Sequence, residues 1–149
     1  MLKSLRSFVL VTLLTLVLTG VVGARLARMW SDKELLDKSE LAVIATPTTA
    51  HDTKERGGMP GFEAQPIIGV ETTFAVVAIL KGDPTTKQVI LHHYRANRVQ
   101  TINAPTFLSF DTKNRHNFRL YIVREADGRY APVTGQIDPG LSVREEPRK

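Results

Sequence analysis

The chain of 149 residues contains no cysteine. This absence excludes disulfide bonds, a thiol nucleophile, cysteine ligands for zinc and a lipidated N-terminal cysteine. Exported domains of this size often depend on disulfides, so this chain must be stabilised by the burial of apolar side chains alone. Its hydrophobic content of 42% is ordinary for a globular protein and does not indicate disorder.

Recognisable catalytic and cofactor motifs are also missing. The sequence has no Gly-x-Ser-x-Gly elbow, no carboxylate pair held at acid–base distance, and no glycine-rich segment that opens a helix after a strand. The histidines are His51, His92, His93 and His116. Neighbours on a strand point to opposite faces, so the adjacent pair cannot share a metal ion. We therefore expect no enzyme, with no catalytic residue, cofactor or metal site. A pocket that unites His93, Asp111 and a serine would instead favour an enzyme.

The first 24 residues have the pattern of a secretory signal peptide. Lys3 and Arg6 precede the uncharged residues 8–22, and small residues end at Ala24, where we expect cleavage. The apolar segment is about 15 residues long, whereas a helix needs about 20 to span a bilayer. We therefore predict export to the periplasm or the exterior. Attachment to the membrane through an uncleaved signal is the alternative.

Residues 25–149 are expected to form one domain, in which a short helix comes first. Ser31 and Glu34 have the spacing of a capping box, which predicts a helix that ends near Lys38. Six later segments have the composition of β-strands, namely residues 41–46, 72–81, 88–94, 106–110, 118–124 and 130–133. Pro47 should end the first of these strands. The polar residues 47–69 should then form a long loop, either mobile or bearing a site.

The segment 72–81 is the centre of the predicted fold. Both of its alternating sets are apolar, Phe74, Val76, Ala78 and Leu80 on one side and Ala75, Val77 and Ile79 on the other. A strand of this kind is covered on both faces. A buried helix is the alternative, although the β-branched residues and the turn that follows favour a strand.

The segment 118–124 alternates more clearly. Phe118, Leu120 and Ile122 should face inward, while Arg119 and Tyr121 face outward. The return strand at 130–133 contains Pro132, which places it at an edge of the sheet or at a break in pairing.

Five or six short strands around a doubly covered central strand predict a small antiparallel barrel. Residues 39–45, 73–76, 79–83 and 128–130 resemble segments of small exported bacterial proteins, whose OB-like barrel is related to that of tissue metalloproteinase inhibitors and netrin-type domains. The resemblance implies a mainly β fold, an OB-like barrel of five or six strands with one short N-terminal helix. It transfers no site residue, because the inhibitors bind zinc through an N-terminal cysteine that this chain lacks.

Arginine residues between positions 95 and 129 are the candidate binding residues, namely Arg95, Arg98, Arg119 and Arg124. If Arg119 lies beside Tyr94 or Arg95, the guanidinium groups could bind an anionic glycan or another anionic ligand. A solvated charged face is the alternative. The binding hypothesis predicts that replacing Arg95 and Arg119 together by glutamate abolishes retention on heparin.

These patterns predict an exported, monomeric binding or interaction module, whose partner is an unknown protein or an anionic ligand. Two alternatives remain open. One is insertion of the mature N-terminus, around residues 25–29, into a protease cleft, and the other is binding of anionic glycans through the arginine-rich face. Nucleic acid is not expected as a partner of an exported protein, and a membrane is expected only through an uncleaved signal.

Overall fold

The computed structural model describes residues 28–147. The predicted signal peptide, with its cleavage site at Ala24, lies outside the described residues, as does most of the segment predicted to enter a protease. Between residues 28 and 147, no helix is long and apolar enough to cross a membrane.

The described residues contain one α-helix, six β-strands and one turn of 3₁₀ helix. Helix α1 is Asp32–Lys38. The strands are β1 Leu41–Met59, β2 Phe62–Lys81, β3 Gln88–Ala96, β4 Phe118–Arg124, β5 Tyr130–Pro132 and β6 Val143–Glu145. The 3₁₀ turn, Pro139–Leu141, lies directly before β6. The prediction of a mainly β fold with one short helix is confirmed.

Five strands form a ring of hydrogen-bonded neighbours. Strand β1 pairs with β2, β2 with β3, β3 with β5, β5 with β4, and β4 pairs again with β1. The pairings are antiparallel except that of β3 with β5, which consists of the single pair Leu91 and Tyr130. Strands β5 and β6 share the edge of β4 that faces away from β1. The ring brings residues that are far apart in the sequence onto one continuous sheet.

The prediction of a loop at 47–69 is wrong, because these residues form the two arms and the turn of a long β-hairpin. Strands β1 and β2 pair from Ala42 and Lys81 to Met59 and Phe62, and Pro60-Gly61 forms the turn. Pro47 does not end β1, since the pairing of β1 with β4 stops at Ala45 and a missing N–H beyond that point removes no bond to β4. The β1 arm is polar because most of its residues between 48 and 58 are exposed, whereas the β2 arm buries Ile67 and Val70.

The central segment is extended, as predicted, but it is covered on one face only. The register of β2 against β1 contains an extra residue at Val77 and another at Leu80. Each β-bulge resets the alternation of inward and outward side chains. Phe74, Val76 and Ile79 therefore pack in or against the core, while Val77 and Leu80 are exposed. The prediction of burial on both faces is wrong for this reason.

The core inside the ring is closed by a segment that is not a strand. Residues 106–110 form no ladder, contrary to the prediction, yet Phe110 packs edge-on against two core rings. Its centroid lies 5.0 Å from that of Phe74 and 5.0 Å from that of Phe118. Leu120, Ile122 and Val143 complete this part of the core. Packing of aromatic side chains thus holds the connection between β3 and β4 without backbone pairing.

Helix α1 covers the outer face of β1 and β4. The predicted capping box is present, with the Ser31 side chain accepting from the Glu34 N–H and the Glu34 carboxylate accepting from the Ser31 N–H. Leu35 packs with Ala42 and Tyr121 in a second buried cluster. Tyr121 does face away from the main core, as predicted, but the helix buries it. The inward orientation of Leu120 and Ile122 is confirmed.

Candidate functional site

An irregularity in β1 brings a carboxylate over the sheet. Between Asp52 and Arg56, strand β1 advances four residues while its partner β2 advances only two. The extra length folds Glu55 over Gly69 of β2. A Cβ atom at Gly69 would lie 2.4 Å from Thr53 Oγ1 and 2.9 Å from Glu55 Cβ. Only glycine leaves enough space there for the Glu55 side chain to cross.

Glu55 meets His92 of β3, which also contacts a second glutamate. The distance from His92 Nε2 to Glu55 Oε2 is 2.9 Å, and that from His92 Nδ1 to Glu125 Oε2 is 2.9 Å. Carboxylates only accept hydrogen bonds, so the imidazolium form, which donates from both nitrogens, satisfies both contacts. Tyr94 donates its hydroxyl proton to Glu55 Oε1 over 2.8 Å, and burial together with this bond raises the pKa of Tyr94.

The network continues along the same face of the sheet. Arg129 lies 3.1 Å from Glu71 and 3.6 Å from Glu125, and His51 lies 3.3 Å from Glu71. We refer to Glu55, His92 and Glu125 as the glutamate–histidine clasp. Both ring nitrogens of its histidine are occupied by carboxylates, so neither can accept a proton from a substrate. The arrangement therefore joins strands β1 and β3 to the β4–β5 turn. Within residues 28–147, no cluster of three or more histidine or acidic side chains could hold a metal ion.

His93 points to the opposite face, as the sequence predicted. Its Nε2 lies 2.8 Å from Thr72 Oγ1, while its Nδ1 is buried without a hydrogen-bond partner. Burial lowers the pKa of His93 to about 4, so the imidazole is neutral at pH 7. Asp111, the other residue considered for an enzyme site, instead accepts hydrogen bonds from the backbone of Lys113 and Asn114.

Three of the four candidate arginines have nearby partners. Arg95 forms a bidentate ion pair with Asp52, with N–O distances of 2.8 and 2.5 Å. Arg119 lies 2.7 Å from Glu146 and 3.6 Å from Asp32. Arg95 and Arg119 thus have no ion-pair partner in common.

Arg124 lies near the β4–β5 turn and interacts with an aromatic side chain. It donates to the hydroxyl of Tyr130 over 2.9 Å, and its guanidinium carbon lies 5.2 Å from the centre of that ring. Arg98 belongs to a different surface, the connection that follows β3.

Arg98 begins a short ordered loop, residues 98–103, anchored by Gln65. Gln65 is fully buried, donates to the carbonyls of Pro66 and Val99 over 2.8 and 3.0 Å, and accepts from the Thr101 N–H over 2.8 Å. The loop is bounded by two left-handed residues that are not glycine, Arg98 with φ 68° and Asn103 with φ 60°. Such conformations persist only where the surroundings fix them.

The 98–103 loop exposes two aliphatic side chains. Val99 is 67% exposed and Ile102 is 90% exposed. Of this loop, the sequence singled out Arg98 alone, because a single valine and a single isoleucine among polar residues have no periodic signal. The presence of two branched apolar residues in a segment without strand alternation is the one sequence feature that points to exposed apolar side chains here. No family model, curated protein sequence or solved structure shows a significant match to the chain.

Proposed function

We propose that the protein is an exported binding module with an OB-like barrel, which recognises a partner protein through the 98–103 loop. The ring of strands β1–β2–β3–β5–β4 supports the barrel, since five strands that return to the first are the arrangement of a small closed sheet. The apolar segment of residues 8–22 supports export.

The observation that carries the binding role is the display of Val99 and Ile102 on a loop fixed by Gln65. Isolated exposed apolar residues are common on protein surfaces. These two lie three residues apart, and the buried amide of Gln65 holds the backbone between them. A loop that is already ordered loses little conformational entropy on binding, so its exposed apolar area contributes more of its burial energy to affinity.

A partner that fits this loop has an apolar cleft with an acidic rim. Val99 and Ile102 would enter the cleft, and Arg98, which is exposed beside them, would contact the rim. Burial of an aliphatic side chain contributes about 1.5–3 kcal/mol, so the pair can account for much of a micromolar affinity.

A photo-crosslinking experiment tests this role in extracts of the cells that make the protein. A photoreactive phenylalanine analogue at Ile102 should yield a discrete covalent adduct with one partner. The same group at Lys54, an exposed position in strand β1, is the control and should not yield that adduct. Val99→Asp should remove the adduct while leaving the unfolding midpoint unchanged, because an exposed side chain contributes little to stability. The same set of adducts from both positions would contradict the proposal.

A second candidate function is inhibition of a protease by the mature N-terminus. The support for this candidate comes from residues 28 and 29, the part of that segment that the structure describes. Met29 is 92% exposed, while the adjacent Arg28 pairs with Glu34 at 3.0 Å and lies 4.2 Å above the ring of Trp30. Arg28 is fixed by these two contacts, so the exposed Met29 beside it is in a position to enter a protease cleft. Inhibition of exported proteases at micromolar concentration, lost on Met29→Asp and retained on Val99→Asp, would favour this candidate over the loop.

A further inference from the structure

A groove that shares no lining residue with the 98–103 loop has the features of a second ligand site. Its floor is formed where the bulge at Val77 turns that side chain outward, next to Ile44 and Ala78 on the paired strands. The cavity above this floor has a volume of about 710 Å³. A neighbouring cavity of about 510 Å³ continues over Ala75. Volumes of this size lie within the range of ligand pockets in proteins.

One wall of the groove is the loop between Phe110 and β4, which is held at both of its ends. At its start, Asp111 accepts hydrogen bonds from the N–H groups of Lys113 and Asn114. At its end, the side-chain oxygen of Asn117 accepts a hydrogen bond from the Thr46 hydroxyl over 2.6 Å, and the Asn117 backbone carbonyl accepts one from the Glu146 N–H over 2.8 Å. The wall is therefore tied to the strands that form the floor.

Arg115 lies at the centre of this wall and lines both cavities. It is exposed, and it forms no ion pair with any residue between 28 and 147, whereas the two other ionisable groups that line the groove have partners. Glu146 lies 2.7 Å from Arg119, and His116 contacts the carboxylate of Glu145. The groove thus presents one uncompensated positive charge above an aliphatic floor.

The remaining groups of the lining identify the ligand class. Thr46 and Thr48 donate their hydroxyl hydrogens within the protein, to Asn117 Oδ1 and to the Thr73 carbonyl, and Asn114 donates one amide hydrogen to Asp111. The Asn114 side-chain oxygen, the Asn117 amide nitrogen and the hydroxyl oxygens that line the groove remain to match the N–H and C=O groups of a peptide. An acyl chain would favour an enclosed apolar cavity instead, and this groove is only partly enclosed and is lined by polar as well as apolar groups. We propose that the groove binds an extended acidic peptide, whose carboxylate pairs with Arg115 while an aliphatic side chain packs on Ile44 and Val77.

Selection from a display library of random peptides tests this proposal, with the full chain as the immobilised protein. The enriched peptides should carry Asp or Glu beside aliphatic residues. With the Arg115→Gln variant, the enrichment of acidic residues should disappear. Lys54→Gln is the matched control, because Lys54 carries the same positive charge, is also exposed and lines neither cavity. This control variant should retain the acidic enrichment.

The most strongly enriched peptide is then used to measure the binding affinity of each variant and to locate the binding site on the protein. Arg115→Gln should weaken its binding about tenfold at low salt, and Lys54→Gln less than twofold, since charge-assisted bonds to carboxylate are among the stronger ones. Amide chemical shifts should change at Val77 and Ala78. Three results would each overturn the proposal, namely no acidic enrichment, equal loss in both variants, or shift changes confined to residues 98–103. The last of these would leave the proposed binding role of the 98–103 loop intact.

Discussion

Glu55 and His92 meet across strand β2, with 2.9 Å between Oε2 and Nε2, although their strands β1 and β3 are not neighbours in the sheet. The bulge in β1 provides the reach, and the bare backbone of Gly69 provides the space. Glu125 contacts the other nitrogen of the same ring from the β4–β5 turn. The His92 imidazole therefore connects β1, β3 and the β4–β5 turn, three parts of the sheet that are far apart in the sequence.

Replacing Gly69 by alanine should break this connection. The added methyl group would lie 2.4 Å from Thr53 Oγ1, so the bulge must shift off β2 and carry Glu55 with it. Overpacking of a tight site costs roughly 1–3 kcal/mol, and we expect the free energy of unfolding in urea to fall by about 2 kcal/mol. Gly140→Ala is the control, since a Cβ there meets no atom within 4 Å. Equal unfolding midpoints for the two variants would show that the bulge does not need the glycine.

The parts of the fold that depend on neighbouring residues could be predicted from the sequence. The capping box of α1 involves only Ser31 and Glu34, and strand β4 is specified by its own alternation. The outward orientation of the Val77 and Leu80 side chains could not be predicted, because a bulge is defined by the register of the partner strand. The β1 arm of the β1–β2 hairpin also escaped prediction, since most of its residues between 48 and 58 are exposed and a strand exposed on both faces needs no apolar pattern.

The same reasoning explains which parts of the candidate site were missed. Arg98 was identified from its charge alone. The role of Gln65 depends on a loop that returns 34 residues later in the sequence, and the contact of Glu55 with His92 depends on a bulge. Side chains brought together by sheet topology have no local spacing rule, so the sequence indicates their presence but not their partners.

His93 should make the stability of the protein fall in mild acid. Its pKa is lowered by burial from 6.5 to about 4, so the unfolded chain binds a proton at this residue over a range where the folded chain does not. Stability from this group is therefore complete above pH 6.5 and is lost progressively as the pH falls to about 4, with no further loss below. A shift of this size corresponds to about 3 kcal/mol.

The double variant His93→Leu with Thr72→Val tests this pH dependence. It replaces both members of a buried hydrogen bond by apolar groups, so stability at pH 7 should change by less than about 1 kcal/mol. Urea unfolding at a series of pH values should then show a loss between pH 6.5 and 4 that is about 3 kcal/mol smaller than in the unaltered protein. Thr72→Val alone, which keeps the buried histidine, is the control and should retain the loss between pH 6.5 and 4. If the double variant lost as much stability between pH 6.5 and 4 as the unaltered protein does, the neutral state of His93 would be contradicted.

Gln65 should control the order of the 98–103 loop. Gln65→Met keeps the size of the side chain but removes the acceptor of the Thr101 N–H and the donor to the Val99 carbonyl. Hydrogen exchange of the Thr101 amide should become at least about tenfold faster, since leaving a buried group unpaired costs roughly 1–3 kcal/mol. Gln88→Met, at an exposed position in β3, should not change this exchange rate. An unchanged rate in the Gln65 variant would mean that other contacts order the loop.

The separate partners of Arg95 and Arg119 provide a test of the anionic-glycan alternative. Asp52 neutralises Arg95, and Glu146 with Asp32 neutralises Arg119, so neither guanidinium offers a full unpaired charge to a polyanion. We expect Arg95→Gln with Arg119→Gln to lower the salt concentration of elution from heparin no more than Lys54→Gln with Lys87→Gln, which removes the same charge from two other exposed positions. A clear loss of retention in the arginine pair alone would instead establish that these arginines bind anionic polymers together, and the glycan alternative would then take precedence over a partner protein.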